Sequence, residues 1–247
     1  MSVETTQDFE RLQAIGRIVA LVLKALAEKV RPGVTTGELD EAGARLLASH
    51  GAQAAPPIVY GFPGALCISV NDEAIHGIPG TRTVQSGDLV KLDLVAEKDG
   101  YFADAAVTVP VPPVTTLAQR LTACAKQAFQ NAMDVARAGR RVHDIGRAVE
   151  QHVRRNGFRV IRELAGHGVG RTIHEPPCVP NYPDRRATDL LTQGLVITVE
   201  PIIAAGNGRV VLDNDGWTVR THDGSFSAHY EHTIVIDRGR PILLTAL

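Results

Sequence analysis

Two short stretches decide the fold: SGDLVKLDL, residues 86–94, and QGLVITVEP, residues 193–201. Both read as buried strands, because a run of Leu, Val and Ile follows a glycine in each. Each also carries one acid six residues after its glycine, Asp93 after Gly87 and Glu200 after Gly194. An ionised carboxylate among such neighbours is costly unless it is paired or bound to a metal. For either acid alone the favoured reading is a carboxylate that caps a strand end or pairs with an arginine. The same arrangement met twice asks for a common cause.

Working outward, the segments ahead of the two strands also match. Leu12, Ile15, Val19, Val22 and Leu26 step by three and four, which predicts an amphipathic helix over 7–30. RPG at 31–33 ends it, and Thr35 with Glu38 has capping-box spacing for a second helix that stops at Gly51. Later, 115–139 and 143–157 read as a long and a shorter helix stopped at Gly139 and Gly157. Gly33 and Gly51 are 18 residues apart, as are Gly139 and Gly157, and the two halves are offset by 106 residues at the helices and 107 at the strands. Each half carries a histidine ahead of its acid or strand, His76 in HGIP and His174 in HEPP, although that spacing is unequal. Helices, strands and acids in one order point to two copies of a helix–helix–strand unit. PVPPV at 110–114 is a short, stiff connector, and no composition shift separates the copies. The expectation is a single domain over 1–247 with halves of about 1–110 and 115–247, helices covering a shared sheet. A pseudo-twofold axis would then bring Asp93 and Glu200 together.

Two further acids join them. EKDG at 97–100 signals a hairpin, and a two-residue turn at Asp99-Gly100 places Val95 opposite Asp104. Asp93 and Asp104 are then diagonal neighbours on one face, whereas a three-residue loop would separate them. Glu231, in AHYEHTIVI, is expected to follow a second hairpin over WTVRTHDGSFSAHYEHT that turns at Asp223-Gly224. Four strand carboxylates are too many to stay unpaired in one core, and two divalent cations would neutralise them. His167 is the candidate nitrogen ligand. In GHGVGRTIHE, 166–175, Gly168 and Gly170 allow the chain to bend and aim both His167 and His174 at one centre. Mixed carboxylate and imidazole suits cobalt, manganese, iron or zinc.

Other chemistries find no support. GHGVGR lacks the third glycine of a dinucleotide fingerprint, His174-Glu-Pro-Pro-Cys178 is not HExxH, and there is no Walker loop or GxSxG. Three cysteines without CxxC spacing argue against a disulfide framework or a cysteine zinc site. Cys67 is read as pocket lining rather than a nucleophile, and Trp217 alone reads equally as core. A net charge of −1 leaves no general footprint for nucleic acid. The polar start MSVETTQDFE has no signal-peptide core, and no apolar run is long enough to span a membrane. A cytoplasmic protein is expected.

Taken together, DFERLQAIGRIVA, RPGVTTGELD, YGFPGALCISVNDEAIHGIPG, VKLDL, GHGVGRTIHEPPCVPNY, ITVEP, DGWTVRT and SAHYEHTIVI resemble the type I methionine aminopeptidases of the pita-bread metallopeptidase superfamily. The resemblance runs over nearly the whole chain. It implies an α+β pita-bread fold, with two pseudo-symmetric halves around a central antiparallel sheet. It implies metal ligands Asp93, Asp104, His167, Glu200 and Glu231, with Asp104 and Glu231 bridging two ions. His76 and His174 would contact substrate, Phe62, Cys67 and Trp217 would line a methionine pocket, and His174, Glu200 and His76 would carry catalysis. The implied reaction removes the initiator methionine from nascent polypeptides when the second residue is small. The ribosome is a further expected partner, nucleic acid and membrane are not, and a monomer without a eukaryotic-type ribosome-targeting extension is expected. The alternatives are an Xaa-Pro aminopeptidase or dipeptidase of the same fold, and a non-catalytic peptide-binding module that has lost ligands. Two departures stand out: Ala105-Ala106 where hydroxyl residues are common, and Ile173 where an aromatic is common.

Overall fold

Leu12, Ile15, Val19, Val22 and Leu26 are each at most 1% exposed along one face of the first helix in the computed structural model, which describes residues 1–247. That helix, α1, spans Thr6–Ala27 and starts in a capping box, in which Thr5 and Asp8 satisfy each other's backbone N–H. α2 (Thr36–Ser49) repeats the device with Thr35 and Glu38. The short β1 (Gln53–Ala54) and α3 (Ala55–Tyr60) follow, then β2 (Cys67–Val70) and β3 (Glu73–Ile75). β4 (Leu89–Lys98) and β5 (Tyr101–Pro110) close the first half as a long hairpin.

The second half opens with α4 (Thr116–Val135) and α5 (Val142–Arg155). β6 (Arg159–Val160), β7 (Ala165–Gly168), β8 (Glu175–Pro180) and β9 (Val196–Val199) come next. β10 (Ile202–Ala204), β11 (Val210–Leu212), β12 (Val219–Thr221), β13 (Ser227–His229), β14 (Glu231–Val235) and β15 (Ile242–Leu243) complete the chain.

Nine strands form one sheet in the order β1-β4-β5-β14-β9-β7-β8, with β2 also on β4 and β15 also on β14. All its pairings are antiparallel. At its centre β5 meets β14, and β4 and β9 flank that pair at equivalent places. The helices back the sheet half by half. One cluster of 27 buried residues packs α1 and α2 against β4 and β5, and one of 25 packs α4 and α5 against β9 and β14. The equivalence extends to single bonds. Gly33 N–H donates to Val84 O and Gly139 N–H to Leu191 O, and the bridges Thr35–Thr83 and Arg141–Leu190 repeat the same offset. Gly33 and Gly139 have φ of 92 and 87, so both need the left-handed backbone that glycine adopts without strain. This is the two-halved α+β architecture expected from the strands.

Three local expectations need correction. The helix over 115–139 ends at Val135, because Ala138 and Gly139 turn their N–H groups to Asp237 and Leu191 instead of continuing the ladder. Glu200 lies just past the end of β9 rather than inside it. The segment around Asp223-Gly224 does turn, with Gly224 at φ 68, but it makes no hairpin. β12 pairs with β3 and β11, while β13 pairs with β10, so the two strands beside the turn belong to different small sheets.

Candidate active site

Side chains alternate faces along a strand, so Leu92 and Leu94 in the core under α1 and α2 leave Asp93 facing the other way. The β4–β5 register is the one a two-residue turn dictates: Lys98 pairs with Tyr101, Val95 with Asp104, and Asp93 with Ala106. Asp93 and Asp104 therefore share a face. The row continues across the sheet, for Cys67 pairs with Asp93 on one side and Ala106 with Glu231 on the other. β14 pairs with β9 through His232–Val199, so one further step along that register leads from Glu231 to Glu200. The sheet thus sets Asp93, Glu231 and Glu200 along one row, with the small Ala106 between the first two, and Asp104 stands beside that row on the same face, two residues along β5.

Two threonines lock the line from within. Thr233 Oγ1 accepts from Asp104 N–H at 2.9 Å and donates to Asp104 O at 2.8 Å. Thr198 Oγ1 donates to Glu200 Oε2 at 2.8 Å and accepts from His167 N–H at 3.0 Å. His167 Nε2 then stands 3.7 Å from Asp104 Oδ2 and 3.6 Å from Glu200 Oε2. Possible ligand atoms of Asp104, His167 and Glu231 all lie within 4.8 Å of one another. His167 and His174 converge with ring centroids 4.2 Å apart. The two glycines between them act differently: Gly170 adopts φ 135, whereas Gly168 is needed because a Cβ there would sit 2.2 Å from Pro176 O.

The electrostatics fit a cation site. Asp93, Asp104, Glu200 and Glu231 are each at most 9% exposed. Burial raises all four carboxyl pKa values, and for Asp104 and Glu200 the charge of Glu231 adds to the rise. Burial, with His174 close by, holds His167 down to about 4, leaving it neutral and able to offer a lone pair. Asp104 Oδ1 and Glu231 Oε1 are buried without any hydrogen-bond partner. Buried charged oxygens are rarely left that way. Acceptor-only oxygens beside a neutral imidazole are the donor set of a divalent cation.

All the candidate residues border one cavity of about 550 Å³. Phe62 and Trp217 meet edge to face at 5.3 Å on its wall, with Cys67 beside them. Asp40 on α2 fixes the loop between Phe62 and Cys67 by accepting from Ala65 and Leu66 N–H at 2.7 and 3.0 Å. His76 takes the left-handed conformation, φ 58, which is strained for a residue with a Cβ. Gly77 holds it there: its carbonyl accepts from Ile68 N–H, and a Cβ on it would lie 2.5 Å from Ile68 O. Ile173 is buried, packs with Ala55 and Val95, and borders the cavity together with Val95.

Sequence reasoning missed three residues. Tyr60 borders the cavity, and its hydroxyl lies 2.5 Å from His174 Nδ1. Asn181 donates to Glu200 O at 2.9 Å and fixes that residue's backbone. His229, 1% exposed, faces Glu231 Oε2 through Nε2 at 3.4 Å, and neither of its ring nitrogens has a hydrogen-bond partner. The spacing of His229 two residues before Glu231, hence on the same side of an extended chain, was the one available signal.

Comparison with known proteins agrees with this geometry. The sequence pattern of metallopeptidase family M24 matches residues 10–238. The chain is 44% identical over 249 residues to methionine aminopeptidase 2 of Bacillus subtilis (strain 168), covering 100% of both chains. It is 40% identical over 250 residues to the methionine aminopeptidase of Aquifex aeolicus (strain VF5), covering 98% of this chain and 97% of that one. The crystal structure of methionine aminopeptidase from Thermotoga maritima matches with a TM-score of 0.96 at 32% identity, over 100% of both chains. A prolidase from Pyrococcus furiosus, at 21% identity and a TM-score of 0.81 over 99% of this chain and 65% of that one, shares the fold. The M24 pattern spans every acid and histidine of the cavity, and the likeness to methionine aminopeptidases runs from end to end: the chain belongs to metallopeptidase family M24, among its methionine aminopeptidases.

Proposed function

We propose that the protein removes the N-terminal methionine from nascent polypeptides whose second residue is small, and that residues 1–247 act as one catalytic domain. One observation carries the reading. The five candidate ligands and the three candidate pocket residues, placed apart in sequence, border a single cavity. Asp93, Asp104, His167, Glu200 and Glu231 would hold two divalent cations, whose charge balances the four carboxylates. Asp104 and Glu231, with their unpartnered oxygens, are the residues suited to face both ions. Manganese, iron, cobalt and zinc all suit this donor set. When bound, such ions polarise a peptide carbonyl and make water nucleophilic near neutral pH.

The chain's own groups do the rest. Phe62, Cys67 and Trp217 receive the methionine side chain, whose sulfur packs favourably against aromatic rings. His76 and His174 border the cavity and orient the peptide between them. His174 donates a hydrogen bond to the carbonyl oxygen as negative charge develops there. Glu200 takes the proton of the attacking water and passes it to the departing amide nitrogen. The second residue of the substrate would lie beside the acid cluster, and the family resemblance implies that a large side chain there blocks the reaction.

The test is a Met-Xaa-Ser peptide series at fixed metal and pH. Ala, Gly or Ser at the second position should give kcat/KM roughly a hundredfold or more above Leu, Lys or Phe. Similar values for Met-Ala-Ser and Met-Phe-Ser would overturn the proposal.

A further inference from the structure

Tyr60 is the last residue of α3, and the left-handed Gly61 ends that helix with its N–H on Pro57 O. The stop turns the phenol toward the cavity. Its ring lies 5.6 Å from the His174 ring, and its hydroxyl is 2.5 Å from Nδ1. The other side of His174 is fixed too. Thr172 Oγ1 donates to His174 O at 3.0 Å, and Glu175 Oε1 accepts from the N–H groups of Arg171 and Thr172 at 2.6 and 2.9 Å. The imidazole is thus held by a phenol on one nitrogen, with its chain anchored behind it.

A neutral imidazole carries one proton, and whichever nitrogen accepts a hydrogen bond leaves that proton on the other. If Nδ1 donated to the phenol oxygen, Nε2 would present a bare lone pair to a cavity that already contains four carboxylates. That arrangement sets acceptor against acceptor. The reverse arrangement satisfies both rings. We infer that Tyr60 is a positioning residue for peptide hydrolysis: its O–H donates to His174 Nδ1, fixing the proton on Nε2 so that Nε2–H meets the carbonyl oxygen of the bond being cut. The inference rests on the aminopeptidase reading for its substrate, but not for the tautomer.

Two measurements test it. In the zinc-loaded protein, long-range ¹H–¹⁵N correlation spectra should show His174 Nε2 protonated and Nδ1 unprotonated; a proton on Nδ1 overturns the inference without reference to any peptide. With Met-Ala-Ser, Tyr60→Phe keeps the ring and should lower kcat roughly tenfold, with KM within about twofold. In a His174→Ala background the same substitution should change kcat by less than about twofold, because the group it positions is gone. An equal tenfold loss in both backgrounds would place Tyr60 on the substrate itself and contradict the inference. Tyr60 is 46% exposed, so the variant is expected to fold, and circular dichroism checks it. A protein with the expected tautomer but no activity on methionyl peptides would refute the proposed substrate while leaving the Tyr60–His174 relation standing.

Discussion

Asp104 and Glu231 each carry a buried oxygen that bonds to nothing in the protein, and their chemistry is set by charge rather than shape. Asp104→Asn and Glu231→Gln preserve outline but turn an anionic acceptor into an amide, a poor bridge between cations. Each should lose tight binding of the second cation and nearly all turnover. Titration calorimetry with Mn²⁺ still showing two sites of unchanged affinity in either variant would remove that residue from the centre. Asp93 and Glu200 were legible because a carboxylate in a run of Leu, Val and Ile needs a reason to be there, and Asp104 followed from the turn signal at Asp99-Gly100. Tyr60 and Asn181 were not legible, since a lone tyrosine or asparagine is commonplace and their partners His174 and Glu200 are defined only by folding, and His229 offered no more than its spacing before Glu231. Lys91 shows the same limit in the core. It reads as one more strand residue, yet it is 1% exposed, donates to Asn71 O at 2.7 Å and Ser227 Oγ at 3.1 Å, and burial pushes its pKa down to about 7.

At the scale of elements, Asp99-Gly100 left the β4–β5 hairpin a choice between a two- and a three-residue loop, and the pairing of Lys98 with Tyr101 selects the first. The second turn misled because turn residues mark a reversal, not a partner. β3 and β11 capture β12 through backbone bonds, and β10 captures β13, so long-range pairing separated two neighbouring strands. The departure at Ala105-Ala106 gains a meaning from the same registers. Ala105 packs into the core, while Ala106 lies between Asp93 and Glu231 in the row of acids, 2% exposed. Ala106→Leu should therefore crowd the space between the two carboxylates and cut metal stoichiometry and activity together. The strand should survive it, at a cost of about 1–3 kcal/mol for overpacking. Unchanged metal content by elemental analysis would show that the space is not used.

For the molecule as a whole, the sheet gathers negative charge that the fold alone does not balance. A carboxyl whose folded pKa is raised contributes stability that is complete below about pH 4 and is lost as pH rises through the raised value. Asp104, Glu200 and Glu231 are in this class. The metal-free protein should therefore lose their contribution on going toward alkaline pH. Bound cations need the ionised carboxylates, so protons compete with them and metal affinity rises with pH. His167, held down to about 4, is already neutral and does not oppose this. Lys91 is common to both forms and cancels in the comparison. The rise in Tm on adding Mn²⁺ to chelator-treated protein should be larger at about pH 8 than at about pH 6. Equal shifts would mean that the acids are not the ligands.

The central claim is that this cavity cuts after an N-terminal methionine with the help of metal. The most direct measurement is methionine release from Met-Ala-Ser, with Ala-Pro-Ala as competitor chemistry, in chelator-treated protein before and after divalent metal is restored. The account predicts no release without metal, recovery with manganese, cobalt, iron or zinc, and cleavage of Met-Ala-Ser far exceeding that of Ala-Pro-Ala. Release that is indifferent to chelation, or faster cleavage of Ala-Pro-Ala, would contradict it.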